Sequence, residues 1–133
     1  MVDQLFGKKA RSTTNRQIPY TLFTDPELAH VGLSEAEASA KGIQYRLAKI
    51  PMMAFLRTRT LGETTGFAKV LVSKTDDQIL GFTALGPSAG ELLAPVQLAM
   101  ANRLPYTSLS GLILTHPTMA EGLVSLFSSV PSL

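Results

Sequence analysis

His116 and Glu121 stand five residues apart near the C-terminal end of the chain, in Thr115-His116-Pro117-Thr118-Met119-Ala120-Glu121. Imidazole titrates closest to neutral pH among the ordinary side chains, so it is the usual proton carrier in catalysis. A carboxylate bonded to one ring nitrogen fixes the tautomer and leaves the other nitrogen free for chemistry. Pro117 restrains the backbone directly after the histidine, at the one kind of bond where a cis form is inexpensive. The same residues also have a plainer reading. Thr118 and Glu121 fit a T-x-x-E capping box with a helix starting after Thr118, and His116 is then bonded to whatever lies nearby. Spacing alone favours the plainer reading, because single histidine–carboxylate pairs are common.

The elements that must carry this loop follow from periodicity and turn residues. Residues 18–24 are rich in strand formers, with Pro19 at the start, where a missing N–H is tolerated. Asp25-Pro26-Glu27 is a turn, and residues 28–33 form a second short extended piece. Ser34-Glu35-Ala36-Glu37 is a capping box, and Gly42 stops the helix that covers residues 35–41. Residues 44–50 alternate Tyr45, Leu47 and Lys49 against Gln44, Arg46 and Ala48, a strand that is not cleanly amphipathic. Residues 51–61 are a loop or broken helix carrying Arg57 and Arg59, read as solvated. Phe67–Ser73 and Ile79–Leu85 alternate on either side of a polar turn and form a hairpin.

Ser88-Ala89-Gly90-Glu91 reads as a further capping box for a helix running to about Arg103, with Leu92, Val96, Ala99 and Met100 on its apolar face. Pro95 should kink that helix or shift its start. Residues 107–112 form a short helix, and residues 119–129 form the last one, with Leu123, Leu126, Phe127 and Val130 on one side. Strands and a small helix, then a hairpin, then helices predict an α+β fold with a mostly antiparallel sheet flanked by helices.

Composition narrows the classes. The chain has 133 residues, 45% hydrophobic and 17% charged, which suits one globular domain with a real core. The formal charge is only +2. Lys8, Lys9, Arg11 and Arg16 lack the interleaved aromatics of a nucleic-acid arm and read as a solvated linker, so no nucleic-acid partner is expected. The absence of cysteine rules out a disulfide framework, a thiolate metal site or a redox dithiol within these residues. No metal site is expected. No apolar run approaches membrane length and the start does not read as a signal peptide, so the expectation is a cytoplasmic protein with no membrane partner. Gly86 and Gly90 fit neither the dinucleotide fingerprint nor a Walker loop.

Taken in order, Phe23-Thr24-Asp25-Pro26-Glu27-Leu28-Ala29-His30-Val31-Gly32-Leu33, Gly62-Glu63-Thr64-Thr65-Gly66-Phe67-Ala68-Lys69-Val70, Ile79-Leu80-Gly81, Ala89-Gly90-Glu91 and His116-Pro117-Thr118-x-x-Glu121 resemble the C-terminal, dimer-forming domain of the pyridine nucleotide–disulfide oxidoreductases. That family includes dihydrolipoamide dehydrogenase, glutathione reductase and mercuric reductase. The resemblance implies a dimerisation domain at residues 18–133, with residues 1–17 a linker or the remnant of an upstream flavin domain. It implies a homodimer, upstream FAD- and NAD(P)-binding domains in the parent chain, and neither cofactor bound by this stretch alone. It implies a cis bond before Pro117.

The resemblance also implies that His116 and Glu121 are a catalytic acid–base pair serving the partner subunit, with Pro117 and Thr118 as cofactor-binding residues. Glu121 cannot easily serve both the capping box and the imidazole, so its bond is expected to go to His116 while Thr118 caps the helix. Without a C-terminal cysteine pair, and with His116 present, the chain departs from the mercuric reductase pattern and is similar to dihydrolipoamide dehydrogenase. His30 falls where the family pattern varies and is assigned no chemical role. A free-standing interaction module with the same fold and no chemistry is the alternative, since fold alone does not carry function.

Overall fold

The computed structural model describes residues 16–133. The expected linker or flavin-domain remnant, including Leu5-Phe6-Gly7, lies almost wholly outside the described residues. Five strands form one antiparallel sheet: β1 (Tyr20–Leu22), β2 (Leu28–Gly32), β3 (Tyr45–Pro51), β4 (Phe67–Ser73) and β5 (Ile79–Leu85), in the order β1-β2-β5-β4-β3. The hairpin of β4 and β5 forms as the alternation predicts, with a bulge between Leu71 and Val72.

Because side chains alternate across a strand, one face collects Ala29, Val31, Ala48, Ala68, Val70, Val72, Phe82 and Ala84, all buried. The helices that cover this face are α3 (Leu93–Ala101), on β2 and β5, and α5 (Glu121–Ser128), on β3 and β4. A one-turn helix, α4 (Thr107–Ser110), packs on both. Leu92, Val96, Leu123, Leu126 and Phe127 fill the space between helices and sheet. The other face of the sheet meets α1 (Glu35–Ala40), whose Glu35 Oε1 accepts from Lys69 Nζ at 2.6 Å.

Several local expectations meet the structure directly. Ser34 and Glu37 form the reciprocal capping box of α1, with Glu37 N–H donating to Ser34 Oγ at 3.2 Å and Ser34 N–H donating to Glu37 Oε2 at 2.8 Å. The bonds that Glu37 Oε2 accepts from the Ser34 N–H and, at 2.8 Å, from the Ser34 hydroxyl hold the Glu37 carboxyl below its ordinary value of 4.5. The stretch 51–61 is a broken helix: a 3₁₀ turn (Met52–Ala54) followed by α2 (Leu56–Leu61).

The box expected at Ser88 is a correction. Ser88 has φ 53 and its side chain makes no cap bond. A side-chain cap needs extended backbone, which this left-handed residue does not have. The Gly90 N–H instead donates to Glu27 Oε2 at 3.2 Å, from the β1–β2 turn. A 3₁₀ turn (Ala89–Leu92) precedes α3, so Pro95 falls in the first turn, where its absent N–H breaks no bond. The helix ends at Ala101, and Arg103 follows at φ 54.

β3 turns Arg46 and Ala48 toward the helices and Lys49 toward solvent. Arg46 is buried there and paired with Asp77 of the β4–β5 turn. It also donates to Pro131 O at 3.1 Å and Ser73 O at 3.3 Å, and its guanidinium lies 5.1 Å from the Tyr106 ring centroid.

Candidate functional site

After α4 the chain runs from Gly111 to Pro117, exposed except for the half-buried Leu114, and then turns into α5. The His116–Pro117 peptide bond is cis. The Thr118 hydroxyl ties the turn at both ends: it donates to Thr115 O at 2.8 Å and accepts the Glu121 N–H at 3.2 Å. Two tight bonds, Gly122 N–H to Met119 O and Leu123 N–H to Ala120 O, both at 3.0 Å, lead into the helix. Gly122, Leu123, Leu126 and Phe127 are the face α5 buries, so Glu121 is left at the rim of the loop.

There the two sequence-predicted residues meet. His116 Nδ1 lies 2.8 Å from Glu121 Oε1 and 3.1 Å from Oε2, so the carboxylate straddles one ring nitrogen. The carboxylate accepts, so Nδ1 carries the hydrogen. Nε2 has no hydrogen-bond partner among the described residues, and the His116 side chain is 62% exposed. The arrangement fixes one ring nitrogen on the carboxylate and leaves Nε2 open toward a group in front of the loop. Glu121 makes no bond back to the N–H of Thr118, so only the Thr118 half of the capping box forms. Pro117 is exposed and Thr118 half-buried. No group of residues suited to hold a metal ion occurs among the described residues, and no helix there is long and apolar enough to cross a membrane.

His30 lies elsewhere. It is buried on β2, with Nδ1 2.9 Å from Thr83 Oγ1 and Nε2 3.1 Å from Gly32 O. The Gly32 carbonyl can only accept, so Nε2 donates and both ring nitrogens are occupied. This is a structural histidine.

Arg57 binds Thr60 Oγ1 at 3.3 Å, while Arg59 lines a groove of about 270 Å³ with Ala54, Leu56, Glu121, Gly122 and Ser125. A larger groove, about 590 Å³, is lined by Asp25, Glu27, Leu61, Glu63 and Ser88 and contains none of the predicted site residues. Sequence reasoning missed Phe55 and Gly122. Phe55 is fully buried where α2 begins, and its ring lies against Gly122. The available signal was a glycine inside a helical pattern, which flags close approach by another group.

Comparison with known proteins identifies the family of this fold. The family model described as the pyridine nucleotide-disulphide oxidoreductase dimerisation domain matches residues 18–127. A probable pyridine nucleotide-disulfide oxidoreductase, RclA of Escherichia coli K12, is 36% identical over 129 residues, which is 96% of this chain and 29% of that protein. A dihydrolipoyl dehydrogenase of Chlamydia muridarum is 38% identical over 104 residues, 78% of this chain and 22% of that protein. The solved structure of the HOCl-induced flavoprotein disulfide reductase RclA from Escherichia coli superposes with a TM-score of 0.92 at 35% identity, covering 98% of this chain and 30% of that one. The chain thus spans less than a third of the length of these relatives.

Proposed function

Because this chain belongs to the pyridine nucleotide–disulfide oxidoreductases through their dimerisation domain, we propose that it is the C-terminal part of an FAD- and NAD(P)-dependent disulfide oxidoreductase, pairs with a second copy, and supplies His116 and Glu121 to the active site of that copy. The observation that carries the reading is the bond from Nδ1 to Glu121 with Nε2 left open. Disulfide exchange needs a thiolate to attack and a proton for the departing sulfur. Nε2 takes the proton as a thiol becomes thiolate and returns it to the sulfur that leaves. Glu121 keeps the neutral ring in the Nδ1–H tautomer and holds its orientation while Nε2 carries the proton.

When held by the upstream part of the parent chain, FAD would supply the electron transfer between the nicotinamide nucleotide and the dithiol. The exposed Pro117 and the half-buried Thr118 fit an edge contact with that group. The Thr118 hydroxyl is already committed to the turn, so its contact comes from the backbone. Pairing is supported by apolar side chains left in water, Leu112 and Ile113 on the loop that carries His116 and Leu98 on α3, which are 43%, 101% and 66% exposed.

The test is kinetic. In the full-length enzyme, His116→Ala should lower turnover by about a hundredfold or more, the usual scale for a lost general acid–base, while light scattering still reports a dimer. Unchanged turnover would return His116 to a loop residue with a salt-bridge partner.

A further inference from the structure

Gly122 occupies the first turn of α5, directly after Glu121. A Cβ on it would lie 1.7 Å from Phe55 Cδ1, 2.2 Å from Cε1 and 2.3 Å from Cγ. The bare backbone of α5 therefore rests on the Phe55 ring with no room for a methyl group. Phe55 cannot easily step aside. It is fully buried, its N–H donates to Met52 O at 2.9 Å, and the Thr58 hydroxyl lies 2.8 Å from the carbonyl oxygens of both Met52 and Phe55. Apart from the Thr118 hydroxyl, no side chain caps the first turn of α5.

We propose that the contact between Phe55 and Gly122 is the positioning device of the candidate site: it sets the depth of the first turn of α5 and so the reach of the Glu121 carboxylate to His116. Phe55 and Gly122 touch neither substrate nor reacting atoms and act only through Glu121. The inference rests on the His116–Glu121 pair of the proposed function, but its deciding readout is the geometry of that pair, with turnover as a second measurement.

The chain has two histidines, and His30, bonded at both nitrogens, serves as an internal control. Ring ¹⁵N shifts of the 133-residue chain should show His116 with its hydrogen on Nδ1 in the neutral form. Gly122→Ala should move His116 toward the tautomer mixture of an unrestrained imidazole and leave His30 unchanged. Adding Phe55→Leu, which removes the ring that the new methyl meets, should restore the Nδ1–H signature. Should Gly122→Ala not fold, Phe55→Leu alone gives the reading, because loss of the platform should loosen the same bond. In the full-length enzyme, Gly122→Ala should lower kcat between about tenfold and a hundredfold with KM little changed, the scale of a misplaced catalytic group. A His116 signature that stays the same in folded Gly122→Ala, or in Phe55→Leu, overturns the proposal. That outcome together with loss of turnover in His116→Ala would sink the positioning role and leave the acid–base role standing. A shifted signature with unchanged turnover in His116→Ala would do the reverse.

Discussion

Removing either partner of the Arg46–Asp77 pair deletes the same contact, yet the two deletions should differ in cost. The Arg46 side chain is 6% exposed and that of Asp77 44%. Asp77→Ala leaves a buried guanidinium whose Nε already lacks a partner. Breaking a buried pair from that side costs about 3–5 kcal/mol. Here the bonds to Pro131 O and Ser73 O persist, which brings the loss to about 2–3 kcal/mol. Asp77 also has φ 58, and alanine there adds about 1 kcal/mol. Asp77→Ala should therefore cost about 3–4 kcal/mol, lowering Tm by about 12–16 °C for a domain of this size. Asp77→Asn tolerates the left-handed backbone and keeps an acceptor, so about 2 kcal/mol is expected. Arg46→Met frees a carboxylate that returns to water and fills the space with an apolar stem, at about 1–2 kcal/mol for two orphaned carbonyls. Urea melts followed by circular dichroism, with Cm compared at constant m, give all three values. If Arg46→Met costs as much as Asp77→Ala, the stranded-charge argument is wrong.

Two further outcomes can be read from the structure. The Glu37 carboxyl is held below its ordinary value by the bonds to Ser34, so its stabilisation is full at neutral pH and is lost as pH falls through the lowered value; Glu37→Gln should flatten that part of the Tm–pH curve below about pH 4.5, and parallel curves would refute it. A Cβ at Gly81 would lie 1.9 Å from Leu33 O, a backbone atom, so Gly81→Ala should cost about 3 kcal/mol, the upper range for overpacking, and a melt within about 1 kcal/mol of the parent's would show that β2 and β5 can part without loss.

Legibility followed how local each cause was. The Ser34 box and the β4–β5 hairpin rest on residues within one turn of each other, and both formed as read. Ser88-x-x-Glu91 carries the same letters as a box but failed, because its backbone is left-handed and the Gly90 N–H is served by Glu27, sixty-three positions away. The histidine and carboxylate could be named from spacing, but their contact depends on the Thr118 turn and the seating of Gly122 on Phe55. Nothing in the alternation of β3 distinguished a buried Arg46 from a solvated one, since its partner lies across the hairpin turn.

The strand order also says how the chain can assemble. β3, β4 and β5 are joined to successive neighbours, whereas β2 meets β5 across residues as distant as Leu28 and Leu85. The hairpin can close within microseconds, and the seam must wait for a long loop to be drawn in. Phe55, Arg46 and the strands beneath α5 all belong to the early group. The platform for Glu121 can thus be laid down before β1 and β2 arrive. An excursion that unzips β2 from β5 would disturb the far edge of the sheet and α3 first, while the corner that holds His116 and Glu121 stayed assembled.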